Sequence, residues 1–508
     1  MADRAKTARS RRRERVVASP VVVESTSRLG LLRRSPSFGL LFLATAGSSF
    51  GTYLAAVALT VDVKRLTGSG VWVSVLLIAD FLPIVVIGLL FGPLVDRLSR
   101  RRLMIVSDLV RVGVFAALPF VSSPGAIVAL AGVAGVATGF FRPAVFAGLP
   151  NLVPDEELTN ANSLLQTVET LAWMIGPVVA GLMLTVWSPN VPYLVNAVTF
   201  LVSALLVSRI PERSLRSEES LTRGHWRDVA DGIRLVVTSR PLRTVLVVWS
   251  VVLIGSAAVN VAEVFFAQDT LAAGNLGFGA IVAASGVGLT LGSYLAAPSL
   301  GKVGLRRHYT GSILLMGVGW GGAALTHSSW IAVPFVVGGA AGNGAAIICN
   351  QLLVQRGAPD RYRGRALATI MSTNYAVLGL AMAAAGVFTD SFGARTVWLV
   401  AGGVFVAGAG LALVMTRWLP VITGDQNVVM EAYAHDAASA LEGDQPTDPG
   451  LRPVTRPVAS LETEPHADLE PVSVPDAAPD GTAQDGLERI ATLLEEIERR
   501  RELEARRP

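Results

Sequence analysis

Apolar runs of about twenty residues, separated by short polar stretches, recur along most of the chain. A helix rises about 1.5 Å per residue, so a hydrocarbon layer of about 30 Å is crossed by roughly 20 apolar residues. Runs of that length lie near 38–63, 71–94, 103–121, 126–150, 161–186 and 191–209. After a long polar stretch they resume near 242–267, 277–300, 309–327, 330–355, 364–389 and 394–418. Most helices of a water-soluble bundle keep a polar face, and these runs have almost none. The pattern predicts an all-α membrane protein of twelve transmembrane helices.

Composition agrees. Soluble domains are about a quarter charged, whereas this chain is 16% charged and 51% hydrophobic, with a mean hydropathy of +0.51. Its one cysteine, Cys349, excludes an internal disulfide. The first run is too long for the apolar part of a secretion signal and reads as an uncleaved helix. The formal net charge of +4 conceals a segregation: Arg11, Arg12, Arg13 and Arg15 precede the first run, and the tail after Trp418 is rich in Asp, Glu and Pro.

Lys and Arg accumulate in cytoplasmic loops. Arg97, Arg100, Arg101 and Arg102 follow the second run, and seven arginines from Arg209 to Arg240 follow the sixth. Lys302, Arg306 and Arg307 follow the eighth, and Arg356, Arg361, Arg363 and Arg365 the tenth. Asp155, Glu156 and Glu157 after the fourth are the exception; Lys64 and Arg65 are the one basic pair in an outward loop. The alternation places both termini in the cytoplasm of a plasma-membrane protein.

A shift of 205 residues superposes the start of the seventh run on that of the first. Pro154-Asp155 then falls on Pro359-Asp360, Ala161 on Ala366, Ala180-Gly181 on Ala385-Gly386, and Arg101-Arg102 on Arg306-Arg307. Internal repeats of this kind are common among transporters. The domains expected are a basic N-terminal segment (1–36), a six-helix half (37–209), a cytoplasmic linker (210–241), a second six-helix half (242–418) and a tail (419–508). Few aromatics and many Pro, Asp and Glu predict disorder in most of that tail. Leu487, Ile490, Leu494 and Ile497 predict a short amphipathic helix near 485–506, suited to a partner or to self-association.

Gly92-Pro93-Leu94-Val95-Asp96-Arg97-Leu98-Ser99-Arg100-Arg101-Arg102 is similar to the signature of the major facilitator superfamily, with Ser99 where a glycine is usual. Asp96 with Arg97, Arg100 and Arg101 forms either a charge-assisted clamp on one conformation or a basic stop signal with an incidental acid. In the second half Gly301 replaces the acid. Gly176-Pro177-Val178-Val179-Ala180-Gly181 resembles the family's antiporter motif, in which Gly176, Pro177, Ala180 and Gly181 would let helices approach and bend. Phe141-Arg142-Pro143-Ala144, the 150–164 segment and Pro359 to Ala366 resemble the siderophore- and drug-exporter branch. The resemblance covers about 37–418 and implies the two-half fold and a proton antiporter. One departure is Gly51-Thr52, where that branch often has an acid after the glycine.

Ionisable groups at bilayer depth are costly and face a cavity or a partner. Arg142 and Glu169 lie equally far from the middle of loop 151–160, so they should pair at similar depth. Glu169 then either takes a coupling proton while Arg142 adjusts how firmly it is held or meets an anionic substrate, or the pair locks two helices together. Asp108 and Arg111, three apart, share a helix face and read as a local pair. Asp80 and Glu263 are expected toward the outer side as proton or cation relays, or as hydrogen-bonding partners of groups such as Asn260. Asp62 is expected as a solvated helix end. Asn343, Asn350, Gln351, Asn374 and Tyr375 either line a pathway or tie helices together.

No phosphate loop, H-E-x-x-H spacing or intramembrane Ser–His set occurs, so neither an enzyme nor a cofactor, metal or nucleic-acid partner is expected. The expected function is export of a small amphipathic or siderophore-like molecule, with protons as the exchanged ion. Facilitated uptake of a metabolite, or a scaffold acting through the C-terminal helix, are the alternatives. Reporter fusions at Asp269 and after Trp418 are expected to mark opposite sides of the membrane; both on one side would refute the assigned topology.

Overall fold

A computed structural model describes residues 30–90, 98–212, 233–358 and 360–419. Asp96, Arg97, most of the central linker and the tail with its expected 485–506 helix lie outside the described residues.

Among the described residues the chain is helical, with no strand. In the first half the long rods are α1 (Pro36–Thr67), α2 (Gly70–Leu90), α3 (Arg100–Ala117), α4 (Pro124–Gly148), α5 (Leu158–Val186) and α6 (Asn190–Ser208). The second half has α7 (Arg240–Phe265), α8 (Gly274–Val303), α9 (Leu305–Ala324), α10 (Ser329–Gly357) and a final helical segment, Asp360–Met415. That segment turns at Gly393, where φ is 77° and ψ 154°, a conformation glycine adopts at little cost. Its arms are α11 (360–392) and α12 (394–415).

Ten described helices are long and apolar enough to cross a membrane. Dividing the last at Gly393 and adding α9, whose first turn carries Arg306 and Arg307, is consistent with the twelve predicted. The ends follow local chemistry. Ser35 caps α1 and Pro36 occupies its first turn, where a missing N–H costs nothing. Gly68, with φ 62°, stops it by donating its N–H to the Lys64 carbonyl, so α1 runs one turn past the predicted 63. Ser99 accepts from Arg102 N and caps α3, a use for the residue that replaces the usual glycine. Arg34 pairs with Glu157 at 3.6 Å, which gives the exceptional acidic loop a basic partner.

Within the first half α1 packs on α5 and α6, α3 on α4 and α6, and α2 on α4. In the second half α8 and α9 pack on α10, and α7 and α9 on the α11–α12 segment. The halves meet where α5 packs on α8 and α2 on α11.

These two seams are the same contact in two copies. A Cβ on Gly181 would stand 2.7 Å from the Asn275 carbonyl oxygen and 3.1 Å from Leu276 Cα. One on Gly386 would stand 2.8 Å from both the Gly70 carbonyl oxygen and Val71 Cα. Adding 205 to 181, 70 and 71 gives 386, 275 and 276, so the repeat offset carries one seam onto the other. At the same end Lys64 pairs with Asp269, 205 residues away. This is the end expected outside from the loop charges, and it is called the outer end below. At the inner end, Ser35 bonds the Leu152 carbonyl and Ser239 the Gly357 carbonyl, each within one half.

Close backbone approach also organises each half. A Cβ on Gly292 of α8 would overlap the Ala341 carbonyl of α10, whereas nothing lies within 4 Å of one on Gly403. Gly292→Ala is expected to destabilise the protein by about 1–3 kcal/mol, as overpacking does, and Gly403→Ala to be neutral or mildly stabilising. Thermal unfolding in detergent compares the two; equal stability would refute the packing argument.

Candidate functional site

One face of α1 presents Thr45, Ser48, Ser49 and Thr52, spaced as one helical stripe. In hydrocarbon such hydroxyls need acceptors. Thr52 donates to the Ser48 carbonyl at 2.7 Å and Ser48 to the Thr45 carbonyl at 3.2 Å. Thr45 Oγ1 is buried without a hydrogen-bonding partner. The stripe borders a cavity of about 190 Å³ in the first half. Tyr53, Phe141 and Phe146 form aromatic parts of its wall, and Asp80, Arg111, Arg142 and Glu169 bring charge to it from α2, α3, α4 and α5.

The structure brings Arg142 and Glu169 together: the guanidinium donates to Glu169 Oε2 at 2.7 Å. The Arg142 side chain is 48% exposed and that of Glu169 17%, so the pair is open to the cavity on the arginine side. Asp80 lies ten residues below the start of α2, roughly 15 Å by helical rise. Its carboxylate faces the cavity with no protein hydrogen-bond partner.

At the cavity wall, Arg111 donates to Asp108 Oδ1 at 2.5 Å, and behind it Ser203 donates to Asp108 Oδ2 at 2.8 Å. The Arg111 guanidinium lies between the rings of Phe141 and Phe200, at 4.4 and 4.1 Å from their centroids. Buried charge on both side chains is thus matched by a partner, a hydroxyl and two aromatic faces. The pair joins α3 to α6 and α4.

Other predicted residues lie apart. Glu263 is buried in α7, outside this cavity, with Oε1 unbonded. Asp62 corrects an expectation: it is 6% exposed rather than solvated. It accepts from Arg65 at 2.7 Å and from Tyr193 at 3.1 Å, because α1 runs beyond it and α6 covers it. Asn350 accepts from Tyr309 at 2.8 Å and Asn374 from Ser250 at 3.2 Å, so these two tie helices together. Tyr375 meets Phe81 across the halves at 6.4 Å. Of the signature segment, Arg101 donates to the Ser208 carbonyl and Arg102 pairs with Glu212 at 3.6 Å. Arg100 is described, with Nε buried and unbonded, while Asp96 and Arg97 are not. Gly176 abuts Tyr53 of α1, buried Ala180 lies one turn on, and a Cβ on Gly279 of α8 would strike the Pro177 carbonyl. The antiporter-like segment therefore lies at the α5–α8 seam.

Sequence reasoning missed the α1 stripe, although its 3-1-3 spacing of hydroxyls in an apolar run was visible. A larger crevice of about 360 Å³ between α7, α11 and α12 is lined by Ala, Val, Ile and Phe side chains with one threonine, Thr396. Phe388, Phe392 and Val400 expose more than half their surface there, and the lining offers almost nothing to orient a polar solute.

Two packed helical halves made of membrane-length apolar helices, with a polar cavity inside the first half, are the architecture of a membrane transporter. The family model described as Major Facilitator Superfamily matches residues 41–278 and 251–432, and the chain belongs to that family. It is 26% identical over 398 residues to an uncharacterized MFS-type transporter, YfiS, of Bacillus subtilis, covering 74% of this chain and 92% of that protein. It is 28% identical over 389 residues to the multidrug efflux pump Tap of Mycolicibacterium fortuitum, covering 72% and 92%. The fold matches a crystal structure of the nucleoside transporter NupG (D323A mutant) with a TM-score of 0.64 at 14% identity, covering 75% of this chain and all of that one.

Removing one member of a buried pair strands the other charge. Asp108→Ala is expected to cost about 3–5 kcal/mol, and adding Arg111→Met to recover most of it. Thermal unfolding of the two variants checks this; a double variant no better than the single one would refute the pairing account.

Proposed function

We propose that this chain exports small amphipathic molecules across the plasma membrane in exchange for protons, with both termini cytoplasmic and access to the cavity alternating between the two faces. The observation that carries the reading is the convergence of Asp80, Arg142 and Glu169 on one partly aromatic cavity in the first half. The inter-half contacts of Lys64, Gly181 and Gly386 lie at the outer end, which accords with a cavity reached from the inner side. Tyr53, Phe141 and Phe146 suit an apolar surface, and Asp80 offers its carboxylate to a proton or a cationic group. The similarity to a protein named as a multidrug efflux pump, over most of both chains, favours export over uptake.

A proton drives transport only if it is held more tightly in one state than in the other. Glu169 is placed for that. It lies about two turns before Pro177, which packs at the α5–α8 seam, so bending of α5 at that proline as the halves rock would change its exposure to the cavity. Asp96, beside arginines in the sequence and outside the described residues, keeps its proposed part in conformational switching, apart from substrate contact. Glu263 is a second proton carrier in reserve.

Glu169→Gln imitates the protonated side chain at nearly constant volume. In proteoliposomes it is expected to abolish accumulation of an amphipathic dye driven by a pH gradient, yet leave dye exchange down its own gradient. Uphill transport at the normal rate would exclude Glu169 as the proton carrier and leave the pair as a helix clasp.

A further inference from the structure

The two seams at the outer end match in backbone contact and differ in charge. On the α5–α8 seam the tie between halves is neutral: Asn275 Nδ2 donates to the Leu184 carbonyl at 2.7 Å. On the α2–α11 seam a carboxylate crosses the gap. Asp390 Oδ1 accepts from Gly70 N at 2.5 Å, and Oδ2 accepts from Ser69 Oγ at 2.7 Å and from Val71 N at 3.3 Å.

The first N–H groups of a helix have no acceptor within it and carry partial positive charge. Asp390, from the other half, therefore caps the first turn of α2. We propose that Asp390 is a latch that holds the outer end shut and sets the equilibrium between outer-closed and outer-open states. This role rests on the alternating-access reading above.

Three further observations support it. The cap is confined to one seam: the repeat equivalent of Asp390 is Thr185 (390 minus 205), which bonds only its own helix, at the Leu182 carbonyl. A substitute cap is already in place, because Ser69 Oγ accepts from Val71 N at 3.2 Å, so opening does not leave α2 bare. The nearby Arg395 is engaged by the Ala324 and Thr326 carbonyls at 2.8 and 2.9 Å, leaving the carboxylate to its helix. Loss of such a cap changes an equilibrium by about 2- to 30-fold.

The test places spin labels on cysteines at Phe120 and Leu325, in a Cys349→Ala background in lipid nanodiscs. These two positions, 88% and 66% exposed, flank the outer end on opposite halves, away from both seams. Pulsed electron resonance reads short (closed) and long (open) distances across acid and alkaline pH. Asp390→Ala is expected to raise the long-to-short ratio by about 2- to 30-fold, and Asp390→Asn, which keeps shape without charge, by less. Adding Thr185→Asp to Asp390→Ala places a carboxylate before the first turn of α8 and is expected to bring the ratio back. An unchanged ratio in Asp390→Ala, or no restoration by Thr185→Asp, would overturn the latch alone. A single short distance in every variant and condition would overturn the alternating-access reading and the latch with it.

Discussion

Backbone contact at two glycines is the constraint on which the rest of this structure depends. Lipid tails are as apolar as leucine, so burying oily side chains gains little for helix association inside a membrane. Helices must instead touch closely enough for dispersion and backbone polarity to matter. Gly181 and Gly386 permit this where α5 meets α8 and α2 meets α11, and neither site has room for a methyl group. With the halves fixed there, α1 and the π-helical turn that follows α7 (Phe266–Thr270) bring Lys64 and Asp269 together at the same end.

The charges of the first half form two kinds of arrangement. Asp108 and Arg111 are enclosed, and every neighbour named for them (Ser203, Phe141, Phe200) adds to their compensation. Such a group resists change and fixes the register of α3, α4 and α6. Arg142 and Glu169 are partly open, and Asp80 stands across the cavity without a hydrogen-bonding partner. Incomplete compensation is costly in a low-dielectric interior. It is also the condition under which a solute or proton can be the missing partner.

Much of this was legible in the chain. The apolar runs gave the rods because span length is set by the bilayer, and the 205-residue offset gave the two halves. Equal distance from one loop was enough to foresee the Arg142–Glu169 contact, since helical rise converts residue number into depth. The failures have equally definite causes. Asp62 read as solvated because hydropathy registers neither the extra turn of α1 nor the Tyr193 hydroxyl on α6. The seams were hidden by the ordinariness of glycine in membrane helices, which says nothing of which helix it faces.

Lys64 and Asp269 occupy the same place in the two repeats and face each other. Two copies of the first half, arranged as these halves are, would set lysine against lysine, and two copies of the second would set aspartate against aspartate. Only unlike halves attract at that point. If the chain descends from a duplicated ancestor, divergence at one inherited position made this contact heterotypic.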